Sequence, residues 1–180
     1  RYTLVTDGRS DKALKPILDW LLIDILDEQG IHIAIQGTWF DPSAIATGSL
    51  SEKVRKALEL YPCELLFIHR DAEKQSRPQR LQEIHAATAS LPPNPVPVIP
   101  VHMTEAWLLI SEAALRAAAC NRNGKAKLEL PPLRYRCVHA ITIAINDFSP
   151  LRQLPSFQAL ERDLRQWISS YAWPQEHTHC

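Results

Sequence analysis

A chain of 180 residues in which 46% are hydrophobic carries enough apolar material for a core of its own and is not disordered. Its Lys and Arg total equals its Asp and Glu total, 20 each, so any site for nucleic acid must be local rather than a broad basic field. No apolar run approaches the roughly 20 residues that span a bilayer, no signal peptide is visible, and the four cysteines, at 63, 120, 137 and 180, form no CxxC pair. A cytoplasmic protein with reduced thiols and no membrane contact is the expectation.

In chain order, Tyr2 to Thr6 is a short β-rich run closed by Asp7-Gly8, and Ser10 stands where it would cap the helix that follows. Apolar residues recur at helical spacing from Asp11 to about Leu26 (Leu14, Ile17, Leu18, Leu21, Leu22, Ile25), and Gly30 ends the helix. Ile31 to Ile35 reads as a second strand. A second helix starts at Ser49 or Ser51 and is stopped by Pro62. Leu65 to Ile68 is a continuous apolar run, as a buried parallel strand requires, and a helix follows from about Pro78 to Ala89. Leu91 to Pro97 reads as a Pro-rich linker, Val98 to Val101 as a fourth strand, and about Glu105 to Ala119 as a helix. This alternation predicts an α/β fold, a Rossmann-like parallel sheet of about four strands flanked by helices over residues 1–118. Residues 119–180 are less regular and read as a mostly helical C-terminal appendage packing on the core or on a partner. There Asn121 to Gly124 forms a turn, Ile141 to Ile145 is strand or helix, and Ser156 to about Ser169 is an amphipathic helix with Phe157, Leu160, Leu164, Trp167 and Ile168 on one face.

Ligands of open parallel sheets gather at the carboxyl ends of the strands. Acids stand at such ends: Asp7 after the first strand, Asp71 and Glu73 after the third, Glu105 after the fourth. Side chains two apart on an extended segment point to the same side, so Asp71 and Glu73 can share a hard cation, with Asp7 completing the site. Magnesium or manganese bound there would activate water and stabilise charge on a phosphoryl group.

The run Thr6-Asp7-Gly8-Arg9-Ser10-Asp11-Lys12 resembles the first motif of TOPRIM domains, an acid and Gly with a further acid three or four residues on. Phe67-Ile68-His69-Arg70-Asp71-Ala72-Glu73 resembles the second, Asp-x-Asp after a hydrophobic strand. The likeness covers about residues 1 to 118 and is closest to the compact ATPase-associated TOPRIM nucleases akin to the overcoming-lysogenization-defect family. It implies catalytic roles for Asp7, Asp71 and Glu73, metal binding by these three and Glu105, and Mg2+ or Mn2+ as cofactor. It further implies an ABC/SMC-type ATPase partner and a place in anti-phage defence. Two positions depart from the family pattern: Asp7 stands for Glu, and Glu73 for Asp.

Basic residues flank both motifs. Arg9, Lys12, Arg70 and Lys74, with Lys125 and Lys127 beside the Asn-Gly turn, are the candidates for nucleic-acid contact. His69 and His102 near the strand ends read as hydrogen-bonded structural histidines or as aids to proton transfer. No GxxxxGK[ST] and no GxGxxG after the first strand is present, which excludes a P-loop ATPase and argues against a dinucleotide enzyme. The leading expectation is a metal-dependent nuclease, with homo-oligomers open. The alternatives are a catalytically silent TOPRIM-like module that binds nucleic acid or regulates a partner, and a Rossmann-like phosphate-binding protein.

Overall fold

Four strands, β1 (Tyr2–Val5), β2 (Gly37–Phe40), β3 (Leu65–His69) and β4 (Pro95–Val98), run parallel in the order β2-β1-β3-β4 in a computed structural model of the chain. The structure describes residues 1–45, 48–72, 75–91, 94–101, 107–111, 113–115 and 135–173, with the backbone alone at 135–137. Helices α1 (Leu14–Glu28), α2 (Leu50–Leu60) and α3 (Arg77–Thr88) connect the strands, and α4 (Tyr135–Ala144) and α5 (Pro155–Ser170) follow. This is the Rossmann-like parallel α/β sheet with a helical C-terminal region.

The period-2 alternation of the strands sorts the core into two layers. Tyr2 and Leu4 of β1, Leu65 and Phe67 of β3, and Val96 and Val98 of β4 face α1, α4 and α5. Val5, Phe40, Leu66 and Ile68 face the other way, toward Val54 and Ala57 of α2 and Ile84 of α3. The residues after 135 belong to the first layer: Val138, Ile141, Phe148, Leu151, Phe157, Leu160, Leu164 and Ile168 are buried in one cluster with the sheet. The apolar face of α5 is thus spent on its own sheet. Arg152 ties it down further, bridging Asp24 of α1 and Glu161 of α5, as does the 2.7 Å pair between Arg77 of α3 and Asp163.

Several expected boundaries are corrected. The second strand is Gly37–Phe40, not Ile31 to Ile35, because β1 is only four residues long and its register is Tyr2 with Gly37 through Val5 with Phe40. Residues 31–36 join no strand; Ile31 and Ile35 pack on the core while Ile33 is half exposed. The fourth strand is Pro95–Val98, not Val98 to Val101. Backbone atoms of Val98 face β3, as its carbonyl accepting from Arg70 N shows. Those of Pro95 and Pro97 therefore face away, where a missing N–H costs no ladder bond. Among the described residues β4 is an edge strand, and its prolines blunt that edge. Ser10 caps no helix; it opens a short 3-10 turn, Ser10–Ala13, that leads into α1 without a side-chain cap. Ser49, by contrast, caps α2 through a reciprocal pair with Glu52. The helix expected from Glu105 to Ala119 lies mostly outside the described residues. Within it Trp107 and Leu108 are buried, Trp107 donating to Ser156 Oγ at 3.2 Å, whereas Leu109 is exposed.

Gly37 is demanded by a close approach rather than by its backbone angles. A Cβ there would lie 2.2 Å from the Tyr2 ring. The ring cannot swing aside easily, because its hydroxyl donates to Asp19 at 2.6 Å and it packs in a T-shaped contact on Phe67 with centroids 5.3 Å apart. Gly37→Ala is therefore expected to cost about 1–3 kcal/mol in urea unfolding, the usual range for overpacking. Adding Tyr2→Leu should recover part of that loss; additive penalties in the double mutant would show that the ring is not the obstacle.

Candidate functional site

The same alternation that builds the two core layers sorts the polar residues at the carboxyl edge. Past the end of β3 the backbone stays extended, with Arg70 N donating to Val98 O at 3.1 Å and Ala72 N to Pro100 O at 3.0 Å. His69 and Asp71 therefore share the α1 side, while Arg70 takes the α3 side. A tight turn after β1 delivers a third residue. Thr6 Oγ1 accepts from Trp39 Nε1 at 3.0 Å and donates to Gly8 O at 2.9 Å, and Gly8 N donates to Asp11 Oδ2 at 2.7 Å. Asp11 is thereby turned inward at the foot of α1, where it is 4% exposed.

His69 has no exposed surface and lies between two carboxylates. Its Nε2 is 3.1 Å from Asp71 Oδ1 and its Nδ1 is 3.4 Å from Asp11 Oδ2. Burial pushes the imidazole toward the neutral form, but hydrogen bonds to Asp11 and Asp71, and then their charge, outweigh it and hold the pKa up at about 9. At neutral pH the resting cluster is an imidazolium shared by two acids.

On the other side of the sheet plane stands a second ionic chain. Arg70 Nη1 contacts Asp7 Oδ1 at 2.5 Å and Nη2 contacts Glu83 of α3 at 3.2 Å. Glu83 also takes Arg80 Nη1 at 2.9 Å, and the buried Arg80 donates through Nε to the backbone carbonyl of Asp71 at 2.8 Å. Arg80 thus fixes the main chain that carries Asp71.

Of the expected site residues, Asp7 and Asp71 both stand at the carboxyl edge, but Asp7 pairs with Arg70 and Asp71 with His69. Arg70, expected on substrate phosphate, is engaged by two carboxylates. Arg9 is well exposed and makes a 3.7 Å pair with Asp41; Lys12 Nζ lies 5.4 Å from the centre of the Trp39 ring. Glu73, Lys74, Glu105, Lys125 and Lys127, like His102, lie outside the described residues. The residues missing from the expected ligand set are Asp11 and His69. Both carried a signal: Asp11 follows Asp7 by four, where the resemblance asks for a further acid, and His69 precedes Asp71 by two on one face of an extended segment.

Asp11, His69 and Asp71 each offer a ligand atom within 4.8 Å of the others, so the cluster could hold a metal ion. Two carboxylates and one imidazole are a fitting donor set for a divalent cation, though not the all-oxygen set that magnesium favours. Compared with protein-family models, with curated proteins and with solved structures, the chain gives no match.

The raised His69 pKa sets a direction for stability against pH. A histidine held above its unfolded value of about 6.5 contributes stability that is complete below that pH and is lost as pH rises through about 9. Metal-free protein should therefore melt at progressively lower temperature between about pH 6.5 and 9, and His69→Gln should remove most of that slope. A melting temperature with the same pH dependence in both proteins would show that His69 is not charged in the fold.

Proposed function

We propose that the carboxyl edge of this sheet is the active face of a metal-dependent nuclease that hydrolyses phosphodiester bonds of DNA or RNA. The observation that carries the reading is the convergence of Asp11, His69 and Asp71 where ligands of parallel α/β sheets gather. A bound divalent cation would supply Lewis acidity toward a phosphoryl oxygen and a water acidic enough to attack it. The chain's own groups bind and orient. Arg9 and Lys12 sit on the turn that carries Asp11 and offer positive charge to a phosphate backbone. Arg80 holds the Asp71 backbone, and Arg70 presents a guanidinium fixed between Asp7 and Glu83. The TOPRIM resemblance extends the proposal to Mg2+ or Mn2+ as the ion, to Glu73 and Glu105 as further ligands, and to an ATPase partner in anti-phage defence.

A second reading, a silent nucleic-acid-binding or regulatory module, draws on two observations: Asp7, the match to the family's catalytic acid, is neutralised by Arg70, and His69 is wholly buried. Cleavage assays on supercoiled DNA, single-stranded oligonucleotides and RNA, with Mn2+ or Mg2+, separate the two. The nuclease reading expects cutting that Asp71→Asn lowers by about 100-fold or more, beyond what loss of an outer-shell partner costs, in protein that is still folded at the assay temperature. Wild-type protein that binds nucleic acid and cuts none of the substrates would favour the silent module, and an Asp71→Asn protein that still cuts would take Asp71 out of the chemistry.

Binding should respond to charge on the motif turn. Arg9→Glu with Lys12→Glu is expected to weaken nucleic-acid affinity and to shallow its salt dependence by roughly one counterion per lost phosphate contact. An unchanged salt slope would mean that these side chains are only solvated surface.

A further inference from the structure

We infer that the Asp11, His69 and Asp71 cluster is built for a single first-row transition dication of the manganese, cobalt or zinc kind in preference to magnesium. The inference rests on the metal site of the proposed nuclease and deepens it by assigning the class of cation.

The donor set makes the first argument. Magnesium takes oxygen ligands in a near-octahedral shell and keeps several waters, because it dehydrates reluctantly. Imidazole nitrogen is a good ligand for zinc and its transition-metal neighbours. Here an imidazole is central to the cluster, and it is the last residue of β3, held by the ladder rather than placed on a mobile loop.

Burial makes the second. The side chains of His69, Asp11 and Asp71 are 0%, 5% and 15% exposed, so an ion held among them would give up most of its water, which magnesium does reluctantly. Two carboxylates with a neutral imidazole carry a charge of minus two, which a dication balances; the proton that leaves the imidazolium goes to solvent.

Preorganisation makes the third. Gly8 forms a cradle that a side chain would fill: a Cβ there would stand 3.3 Å from Asp11 Oδ2, the same oxygen that the Gly8 N–H holds at 2.7 Å. Asp71 is fixed from behind by Arg80. Both acids already lie within reach of the ring, Asp71 at 3.1 Å from Nε2 and Asp11 at 3.4 Å from Nδ1, so the three donors are assembled before any ion arrives.

The test uses untagged, metal-free protein spanning residues 1–180 in which His177, His179 and Cys180 are replaced by Ala, so that these donors do not report. Calorimetric titration with MnCl2, CoCl2, ZnCl2 and MgCl2 in turn should show one equivalent of each transition ion binding at least about 100-fold more tightly than Mg2+. His69→Gln should weaken Co2+ by about 100-fold and abolish its ligand-field absorption. Pulsed EPR of the Mn2+-loaded chain with His69 intact should show coupling to an imidazole 14N, a readout that does not depend on whether the variant folds. Gly8→Ala, which pushes on Asp11 without removing a donor, should weaken Mn2+ measurably. Mg2+ binding as tightly as Mn2+, or Mn2+ without 14N coupling, would overturn the inference while leaving a metal-dependent nuclease on the carboxylates intact. Absence of any divalent binding would overturn the inference and the metal site of the proposed function together.

Discussion

Two carboxylates a few ångströms apart in a buried place repel one another, by about 4 kcal/mol at 4 Å if the effective dielectric constant is about 20. Asp11 and Asp71 are brought into that position from the segments that follow two neighbouring strands, and the fold meets the repulsion by setting the ring of His69 between them. Removing one member of such a group leaves an uncompensated buried charge, which costs more than the intact group contributes. Strand order makes the meeting possible. Because β1 and β3 are neighbours, with Val5 opposite Ile68, the turn after one strand and the extension of the other emerge side by side. The cluster and the sheet depend on each other: shifting that register by one residue would turn His69 to the opposite face.

The sheet plane divides the acidic edge. Asp7, Arg70, Glu83 and Arg80 form an ionic chain on the α3 side, and Asp11, His69 and Asp71 form a compact group on the α1 side. The two meet where Arg80 reaches the backbone of Asp71. One chain is more exposed, arginine-rich and nearly neutral in sum; the other is buried and, with its imidazolium, carries a net charge of minus one. Such a division suits an arrangement in which phosphate is met by guanidinium and ammonium groups while the cation is held beneath, by residues that solvent does not reach freely.

Much of the architecture was legible because it rests on periodicity. The apolar run of β3, the helical spacing in α1 and the one-sided face of α5 each specify an element almost without context. Where the sequence misled, a tertiary condition decided. Ile31, Ile33 and Ile35 alternate as a strand should, yet β1 is too short to pair with them and the ladder forms over Gly37–Phe40 instead. Pro95 and Pro97 look like linker residues, but proline is excluded from strands only where its nitrogen would face a neighbour, and which side of β4 is open follows only from the whole sheet. The site shows the same limit. The rule that residues two apart share a face groups Asp71 with Glu73 and equally His69 with Asp71, and only the packing at the start of α1 shows that Asp11 waits on that side. Propensity alone favoured Ser10 as a cap, whereas the neighbouring Asp11 is the residue the turn exists to place.

The claim at the centre is that Asp11, His69 and Asp71 act as one cation-holding unit. Crystals grown from metal-free protein with MnCl2 and measured at the manganese absorption edge test it most directly. The account predicts a single anomalous peak about 2.0–2.3 Å from a His69 ring nitrogen and from oxygens of both Asp11 and Asp71. A peak lodged instead against Asp7, with His69 still hydrogen-bonded between two metal-free carboxylates, would contradict it.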